Sequence, residues 1–395
     1  MGKPRLCVAF GFPFGDGGGL DRAVSAVIYA LDRADYDVEL VTFGRPDIEA
    51  IKRLYGYELR VAKVVGDGLY YRLPRLLRLP VCTGIALYHT VKLSKSVRLF
   101  LFVGGRFQPT RFVPYRRQRA MCYQISPRWR PTGRIMAGEG GLFQKMYRIL
   151  WDNTWPFPLG PRKDDFMIVH NSYARRMLEE EFGLEAKGVL SLPAPEEGRV
   201  EAKRRRKVVH FGRFHPEKGH MEALRIMGLV HAAVPDAEFV LMGLTNLPEI
   251  SQPVLEELRA EVERLGMGGC TRILTDLPLG QALRELAESR VMLSMQRGPE
   301  TYNMTIIEAM SQGCVPAVPR IPGGAWEDIL DEGRYGYGFG TPEEGAEEVS
   351  RILRMRDSEF EAQSAKSLER ADFFSLPRFV ERLDGAIARF LRGSR

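Results

Sequence analysis

The sequence predicts an α/β protein with two doubly wound, Rossmann-like domains that face each other across a central cleft. Short apolar runs alternate with amphipathic helical patterns through both halves of the 395 residues. A segment rich in Pro, Gly and charge, residues 192–207, separates the halves. We therefore expect a first domain over residues 1–195 and a second over 205–375. An amphipathic helix over 376–395 follows, for which the first domain is a candidate packing surface.

The first apolar run, Leu6–Phe10, predicts a buried parallel strand. It leads into the glycine loop Gly15–Gly19 and then into a helix from Leu20 to Leu31, an arrangement that is typical of phosphate-binding sites. A dinucleotide site would also need an acidic residue after the next strand, Val38–Phe43, and none stands there. The acidic segment Asp35–Asp37 precedes that strand, so we interpret it as a solvated turn. The pattern thus argues against a dehydrogenase.

Residues 68–138 contain fourteen Lys and Arg residues and no Asp or Glu, although the net charge of the chain is only +7. Three interpretations stay open: a solvated basic face, a single-stranded nucleic-acid surface, or a surface that binds an anionic membrane or a phosphorylated acceptor. The segment contains no nucleic-acid motif, so we expect no nucleic-acid partner and favour the membrane or acceptor. The candidate residues for this role are Arg116, Arg117, Arg119, Arg128 and Arg130.

Further along, Phe166–Val169 predicts a strand, and Asn171 or Ser172 is expected to cap the helix after it. We interpret His170 as a strand-end histidine with satisfied hydrogen bonds. The five Cys residues are scattered without a CxxC pair, which predicts free thiols in a reducing compartment and no metal site. No signal peptide and no run of 18 apolar residues is visible, so a cytoplasmic protein is expected.

The second half restarts with a strand, Lys207–Gly212, directly followed by Arg213 and Lys218. Two cations at the carboxyl end of a strand suit a diphosphate, because Arg makes a forked contact and Lys acts as a point charge. A routine surface turn is the alternative interpretation. Strands and helices then alternate again, with predicted bounds His220–Ala233, Ala237–Gly243, Val254–Leu265, Cys270–Asp276, Gly280–Ser289 and Val291–Met295.

The segment Gly298–Ala317 carries two carboxylates, eight positions apart. Glu300 lies in a loop at the carboxyl end of a strand, where open α/β sheets bind ligands. Glu308 lies about one turn into a predicted helix, Thr305–Gln312, which Gly313 ends. The helix N-terminus offers anion-binding backbone N–H groups, and these belong to Asn303, Met304 and Thr305. A carboxylate for hydroxyls, amides for phosphate and a second carboxylate together suit a nucleotide-sugar.

These motifs resemble those of the retaining nucleotide-sugar glycosyltransferases of family four, which have the two-domain GT-B architecture. FGRFHPEKG resembles the family's GR-x-x-x-x-KG, and ETYNMTIIEAMSQGCVP resembles its E-x-F-G-x-x-x-x-EAM-x-x-G-x-P. IPGGAWEDIL and the first loop, GDGGGLDR, resemble the family's two glycine segments. VHNSYARRML and YQISPRW are similar to segments of the mannosyltransferases that extend lipid-linked oligosaccharides at the cytoplasmic membrane face.

The resemblance implies a role for each of these residues. Arg213 and Lys218 would bind the donor diphosphate and stabilise the leaving nucleotide, and Glu300 would contact hydroxyls of the donor sugar. Glu308 would hold the ribose. The amides of Asn303, Met304 and Thr305 would face the phosphates, and Gly18 and Gly19 would approach the diphosphate from the first domain. The cations would replace a metal, so no metal and no cofactor is expected beyond a GDP- or UDP-linked sugar donor.

The implied function is transfer of a hexose, with retention, to a lipid-phosphate-linked or glycan acceptor by a peripheral membrane enzyme. A soluble transferase acting on a small sugar or sugar phosphate is an alternative, and so is a catalytically silent scaffold. The chain departs from the family at Asn303, where Gly is usual, and we expect Asn to tolerate a left-handed backbone. It also has Gln124 or Ile125 where the lipid-linked transferases carry a His.

Overall fold

The computed structural model describes residues 3–10, 14, 19–42, 46–65, 72–93, 96–104, 120–124, 165–194, 196, 198–295 and 302–393. These residues form two sheets, and every recorded strand pair in them is parallel. Apolar clusters cover both faces of each sheet, as expected for parallel strands that are buried on two sides.

The first sheet has the described strand order β3-β2-β1-β4-β5-β6-β7. The order reverses at β1, which pairs with β2 on one side and β4 on the other, and ligands bind in open sheets at such a reversal. The strands are β1 (Arg5–Phe10), β2 (Asp37–Val41), β3 (Lys63–Val65), β4 (Leu99–Val103), β5 (Ala120–Gln124), β6 (Phe166–Val169) and β7 (Gly188–Val189).

The helices described in this domain are α1 (Gly19–Arg33), α2 (Ile48–Tyr55), α3 (Arg75–Leu93) and α4 (Ser172–Phe182). Helix α1 begins just after the glycine loop and buries Val24, Val27 and Ile28 against the sheet. The side chain of Asn171 accepts a hydrogen bond from the Ala174 N–H at 2.7 Å, so the predicted cap of α4 is confirmed.

The second sheet has the described order β10-β9-β8-β11-β12-β13, which reverses at β8. The carboxyl ends of β8, β9 and β11 therefore lie together at one edge. The strands are β8 (Arg205–Phe211), β9 (Glu238–Gly243), β10 (Thr271–Thr275), β11 (Ser289–Leu293), β12 (Val315–Pro319) and β13 (Tyr337–Phe339).

The helices of the second half pack around this sheet, and the last helix leaves it. They are α5 (His220–Ala233), α6 (Pro248–Arg264), α7 (Leu279–Ala287), α8 (Met304–Ser311), α9 (Pro342–Arg354), α10 (Asp357–Phe373) and α11 (Leu376–Gly393). Helix α11 packs on α1 of the first domain through Phe379, Leu383 and Ile387. Tyr36 of the first domain also donates a hydrogen bond to Asp384 at 2.7 Å.

Two regions differ from the sequence-based prediction. Helix α6 begins at Pro248 rather than Val254, and Pro253 lies within it, because burial of Val254, Leu255 and Leu258 outweighs the usual exclusion of Pro. The basic segment contains the buried strands β4 and β5, so part of it is core rather than surface. No helix within the described residues is long and apolar enough to cross a membrane.

The two domains contact each other directly around the cleft. Helix α2 packs against α7 of the second domain. The Tyr302 hydroxyl donates to the Leu192 carbonyl oxygen at 2.8 Å, and the Ser172 N–H at the start of α4 donates to Asp328 at 2.9 Å. The structure thus holds the strand-end loops of the second sheet close to the start of α1.

Candidate active site in the interdomain cleft

A cleft of about 370 Å³ lies between the domains, at the carboxyl ends of both sheets. Helices α1 and α2 form its wall on the first domain. Helix α8 and the loops after β8, β9 and β10 form the wall on the second domain. The lining combines apolar side chains with a few charged groups, as is typical of sites for small organic ligands.

Arg213 and Lys218 line the cleft directly after β8. A Cβ atom built on Gly212 would lie 3.5 Å from Cβ and Cγ of Lys218, so the aliphatic stem of this lysine rests on the Gly212 backbone. Gly219 has φ +67°, which lets the chain turn from the Pro216–Lys218 helical turn into α5. The loop therefore holds two cations at a defined place on the sheet edge.

Backbone hydrogen bonds attach this loop to the end of β9. The Phe214 N–H donates to the Leu244 carbonyl oxygen at 3.0 Å, and the Gly212 N–H donates to the Met242 carbonyl oxygen at 3.0 Å. A Cβ atom on Gly243 would lie 1.6 Å from the Gly212 carbonyl oxygen, so only glycine fits there. This close approach between the backbones at Gly212 and Gly243 fixes the start of the loop that carries Arg213 and Lys218.

Two buried histidines, which the sequence reasoning did not single out, lie under the same loop. His220 Nε2 donates to the Arg213 carbonyl oxygen at 2.8 Å, and His210 Nδ1 donates to the Leu293 carbonyl oxygen at 2.8 Å. Their rings meet edge to face at 4.6 Å, and the Phe214 ring stacks on His220 at 4.8 Å. Burial lowers the pKa of His210 to about 3 and that of His220 to about 4, so both are neutral at pH 7.

Helix α8 points its N-terminus into the cleft, where Asn303, Met304 and Thr305 line it. Asn303 has φ −122°, an extended backbone, so the left-handed conformation that we expected it to tolerate is not needed here. Its side-chain amide donates to Ser294 Oγ at 3.0 Å, and Thr305 Oγ1 lies 3.0 Å from the Phe211 carbonyl oxygen. These contacts anchor the helix start to the ends of β11 and β8.

Glu308 lies one turn into α8, with its side chain only 2% exposed. It forms a salt bridge with Arg22 of α1, whose side chain is 8% exposed, so this ion pair joins the two domains. Burial raises the pKa of Glu308 above its ordinary value, and the guanidinium of Arg22 acts against that rise. Arg22 bonds to Oε1 of the carboxylate, whereas Oε2 has no hydrogen-bond partner in the part of the chain that the structure describes.

The remaining wall of the cleft on the second domain is apolar. This wall is formed by residues at the ends of β9 and β10 and at the start of α7. They are distant from Arg213 and Lys218 in the sequence, but they line the same cleft because β9 and β8 are neighbours in the sheet. Such a surface suits a flat ring that packs by dispersion and loses water on binding. Its side chains come from Met242, Leu244, Leu277, Leu279 and Ala282.

The structure brings together half of the candidate site residues that the sequence singled out, and the other half lie outside its described part. Arg213, Lys218, Glu308 and Gly19 line one cleft with the Asn303–Thr305 segment. Outside the described residues lie Gly18, Glu300, Arg116, Arg117, Arg119, Arg128 and Arg130.

Arg22 is the main residue that the sequence reasoning missed. A charged residue on the buried face of a helix that follows a glycine loop indicates a residue near a binding site, and this pattern could have identified Arg22. His170 is buried, with its ring edge to face against Tyr302 at 5.4 Å, and it does not line the cleft. Among the described residues, no group of His, Cys, Asp and Glu is arranged to hold a metal ion.

Residues 205–355 match the family model described as "Glycosyl transferases group 1". This match covers most of the second domain and includes Arg213, Lys218 and Glu308. A search of curated proteins found no match to the chain.

Solved structures match the whole chain at low sequence identity. The Anabaena protein Alr3699/HepE in complex with UDP-glucose is 16% identical, with a TM-score of 0.66 over 97% of this chain and 99% of that one. Sucrose-phosphate synthase from Thermosynechococcus elongatus is 14% identical, with a TM-score of 0.70 over 99% and 100%. TarM is 12% identical, with a TM-score of 0.68 over 96% and 98%. These likenesses confirm the predicted fold class, two parallel-sheet α/β domains in the GT-B arrangement.

Proposed function

We propose that this protein is a metal-independent, retaining glycosyltransferase that moves a hexose from a nucleotide-sugar to a lipid-phosphate-linked or glycan acceptor at the cytoplasmic face of a membrane. The observation that carries the proposal is the grouping of Glu308, Arg213 and Lys218 with the N-terminus of α8 in one cleft. The match of the second domain to group 1 glycosyl transferases supports it. So does the fold shared with a protein whose structure contains UDP-glucose.

Each part of a nucleotide-sugar has a matching surface in this cleft. The apolar wall beside Met242 and Leu277 suits the base, and the carboxylate of Glu308 suits the vicinal hydroxyls of a ribose. The cations Arg213 and Lys218, with the backbone N–H groups at the start of α8, suit the diphosphate. The sugar would then extend toward the loop that contains Glu300, as the family resemblance implies.

The reaction breaks the bond between the anomeric carbon and the diphosphate oxygen, and negative charge develops on the diphosphate. Arg213 and Lys218 stabilise that charge, which is the part of catalysis for which many transferases use a metal ion. The hydroxyl oxygen of the acceptor forms the new bond on the face that the diphosphate leaves, which retains the configuration. The hydroxyl proton passes to the departing diphosphate.

A panel of nucleotides tests the donor site. UDP, GDP, UDP-glucose, UDP-N-acetylglucosamine and GDP-mannose are each added to the protein with and without EDTA, and the unfolding midpoint is measured. A ligand at 100 times its Kd adds about 2.7 kcal/mol of stability, which gives a clear shift. We expect a shift with one base class that EDTA leaves unchanged. No shift with any nucleotide would favour the catalytically silent scaffold.

The acceptor side of the proposal rests on the basic segment, residues 68–138. Within its described part, α3 exposes Tyr88 by 62% and Val91 by 39%. Lys92, beside them, is also exposed. An apolar face with basic neighbours and no acidic residue suits an anionic lipid surface better than bulk water.

Sedimentation with lipid vesicles tests the membrane surface. We expect the protein to sediment with vesicles that contain phosphatidylglycerol, to remain in solution with phosphatidylcholine alone, and to be released by salt. The double variant Tyr88→Ser and Lys92→Glu should sediment less, while Lys366→Glu, an exposed lysine of the second domain, serves as the control. Binding to single-stranded oligonucleotides in place of vesicles would contradict the membrane proposal, and binding to neither would favour the soluble transferase.

A further inference from the structure

The ion pair between Arg22 and Glu308 joins the two walls of the cleft, and the donor roles proposed above do not explain it. It links the first turn of α1 to the first turns of α8, and both side chains are almost fully buried. Removing one partner of such a pair is costly, because the other charge then stays in a low-dielectric site without compensation. Both residues also line the cleft, so the ion pair affects the charge and the orientation of a carboxylate that can contact a ligand.

Only one of the two carboxylate oxygens of Glu308 forms a hydrogen bond within the described residues. Arg22 bonds to Oε1, and the other oxygen, Oε2, is buried with no hydrogen-bond partner among the described residues. The same holds for the buried Nε of Arg22. Buried polar atoms are rarely left in this state unless a ligand or water completes them. The pair therefore presents one acceptor and one donor that a polar ligand in the cleft can satisfy.

The surroundings of Glu308 make Arg22 its main counter-charge. Helix α8 carries no other charged residue. From the first domain, Tyr55 and Tyr57 face the pair, and burial raises the pKa of Tyr57 to about 12, so this hydroxyl is neutral. From the second domain, Arg213 and Lys218 line the same cleft, but among the charged side chains that the structure describes only Arg22 contacts the carboxylate.

We propose that Arg22 is a positioning residue that supplies the counter-charge and the orientation of Glu308, so that the nucleotide site needs a residue from each domain. The inference rests on the proposed function, in which Glu308 accepts hydrogen bonds from a ribose. A carboxylate accepts on both oxygens, whereas a protonated carboxyl must donate on one of them. Removing Arg22 therefore weakens ribose binding through the protonation of Glu308.

Unfolding without any nucleotide provides the first test. In Arg22→Met, the buried Glu308 keeps its proton when folded and loses it when unfolded above about pH 4.3. The folded state then binds one more proton, so stability must fall as the pH rises. The folding constant of the variant relative to wild type should fall up to tenfold per pH unit between pH 5 and 8. Adding Glu308→Gln to Arg22→Met should abolish this dependence.

Nucleotide affinity provides the second test. With UDP or GDP, whichever binds wild type, Arg22→Met should lose at least tenfold in affinity at pH 7 and recover part of it at higher pH. Arg22→Lys keeps the charge and should follow wild type. Arg33→Met is the matched control, since Arg33 lies on the same helix in an exposed pair with Glu196.

The two tests separate the possible failures. Parallel unfolding of wild type and Arg22→Met at every pH, or equal nucleotide affinity, would overturn the inference. If wild type binds neither nucleotide, the proposed function is wrong. The pH dependence of unfolding still decides whether Arg22 balances the charge of Glu308.

Discussion

Lys218→Ala is expected to lower kcat for sugar transfer by about 10²–10³-fold while the protein stays folded. The lysine lines the cleft with its stem on the Gly212 backbone, where we propose that charge develops on the leaving diphosphate. Loss of one preorganised group of this kind typically costs about 2.7–4 kcal/mol of transition-state stabilisation. The Kd of the nucleoside diphosphate should rise less, because Arg213 and the start of α8 remain.

The measurement is steady-state transfer with the donor that the nucleotide panel identifies. Lys366→Ala is the matched control, because this lysine is exposed on α10 of the same domain. Arg213→Ala should have an effect of similar size. Equal kcat values for wild type and both variants would contradict the assignment of this loop to the leaving group.

Glu308→Gln is expected to weaken binding of the ribonucleotide by about 10–100-fold. A hydrogen bond to a charged group contributes about 1.5–3 kcal/mol, and each 1.4 kcal/mol changes the affinity tenfold. The change keeps the shape of the side chain and removes the negative charge that strengthens a hydrogen bond from a ribose hydroxyl. It also leaves Arg22 without its partner, so the variant should be less stable than wild type.

Comparison of ribonucleotides with their 2′-deoxy and 3′-deoxy analogues separates the local effect from the loss of stability. Wild type should bind each deoxy analogue at least tenfold more weakly than the ribonucleotide, because a hydroxyl is missing opposite the carboxylate. In Glu308→Gln this discrimination should shrink. A variant that still discriminates as strongly as wild type would show that the ribose is recognised elsewhere.

Arg213, Lys218 and Glu308 could be predicted from the sequence to share one site, because each stands in a local sequence pattern. Arg213 and Lys218 directly follow a buried apolar strand, and Glu308 stands inside a short helix that Gly313 ends. Apolar periodicity and glycine positions report such local arrangements well, and parallel sheets bring strand-end loops to one edge. The residues that we propose bind the donor were therefore predicted to lie together.

Other features could not be read in this way. Strands β4 and β5 were not predicted, because they lie within the basic segment and its charge pattern indicated a surface rather than buried strands. His210 and His220 lie on two different elements, a strand and a helix, and only packing brings their rings together under Arg213. The backbone of Asn303 proved extended, because the anchoring of α8 to β11 needs no left-handed residue.

The sequence by itself determined the two parallel α/β domains, and it predicted a division near residues 195–205 and the charged residues Arg213, Lys218 and Glu308 that line the cleft. The pairing of Arg22 with Glu308 and the return of α11 to the first domain depended on the tertiary structure. The physical reason is that a residue pattern records which face of an element is buried, but not which distant element covers it. That choice is made by packing between domains, where a buried carboxylate needs a cation and the nearest one belongs to the other half of the chain.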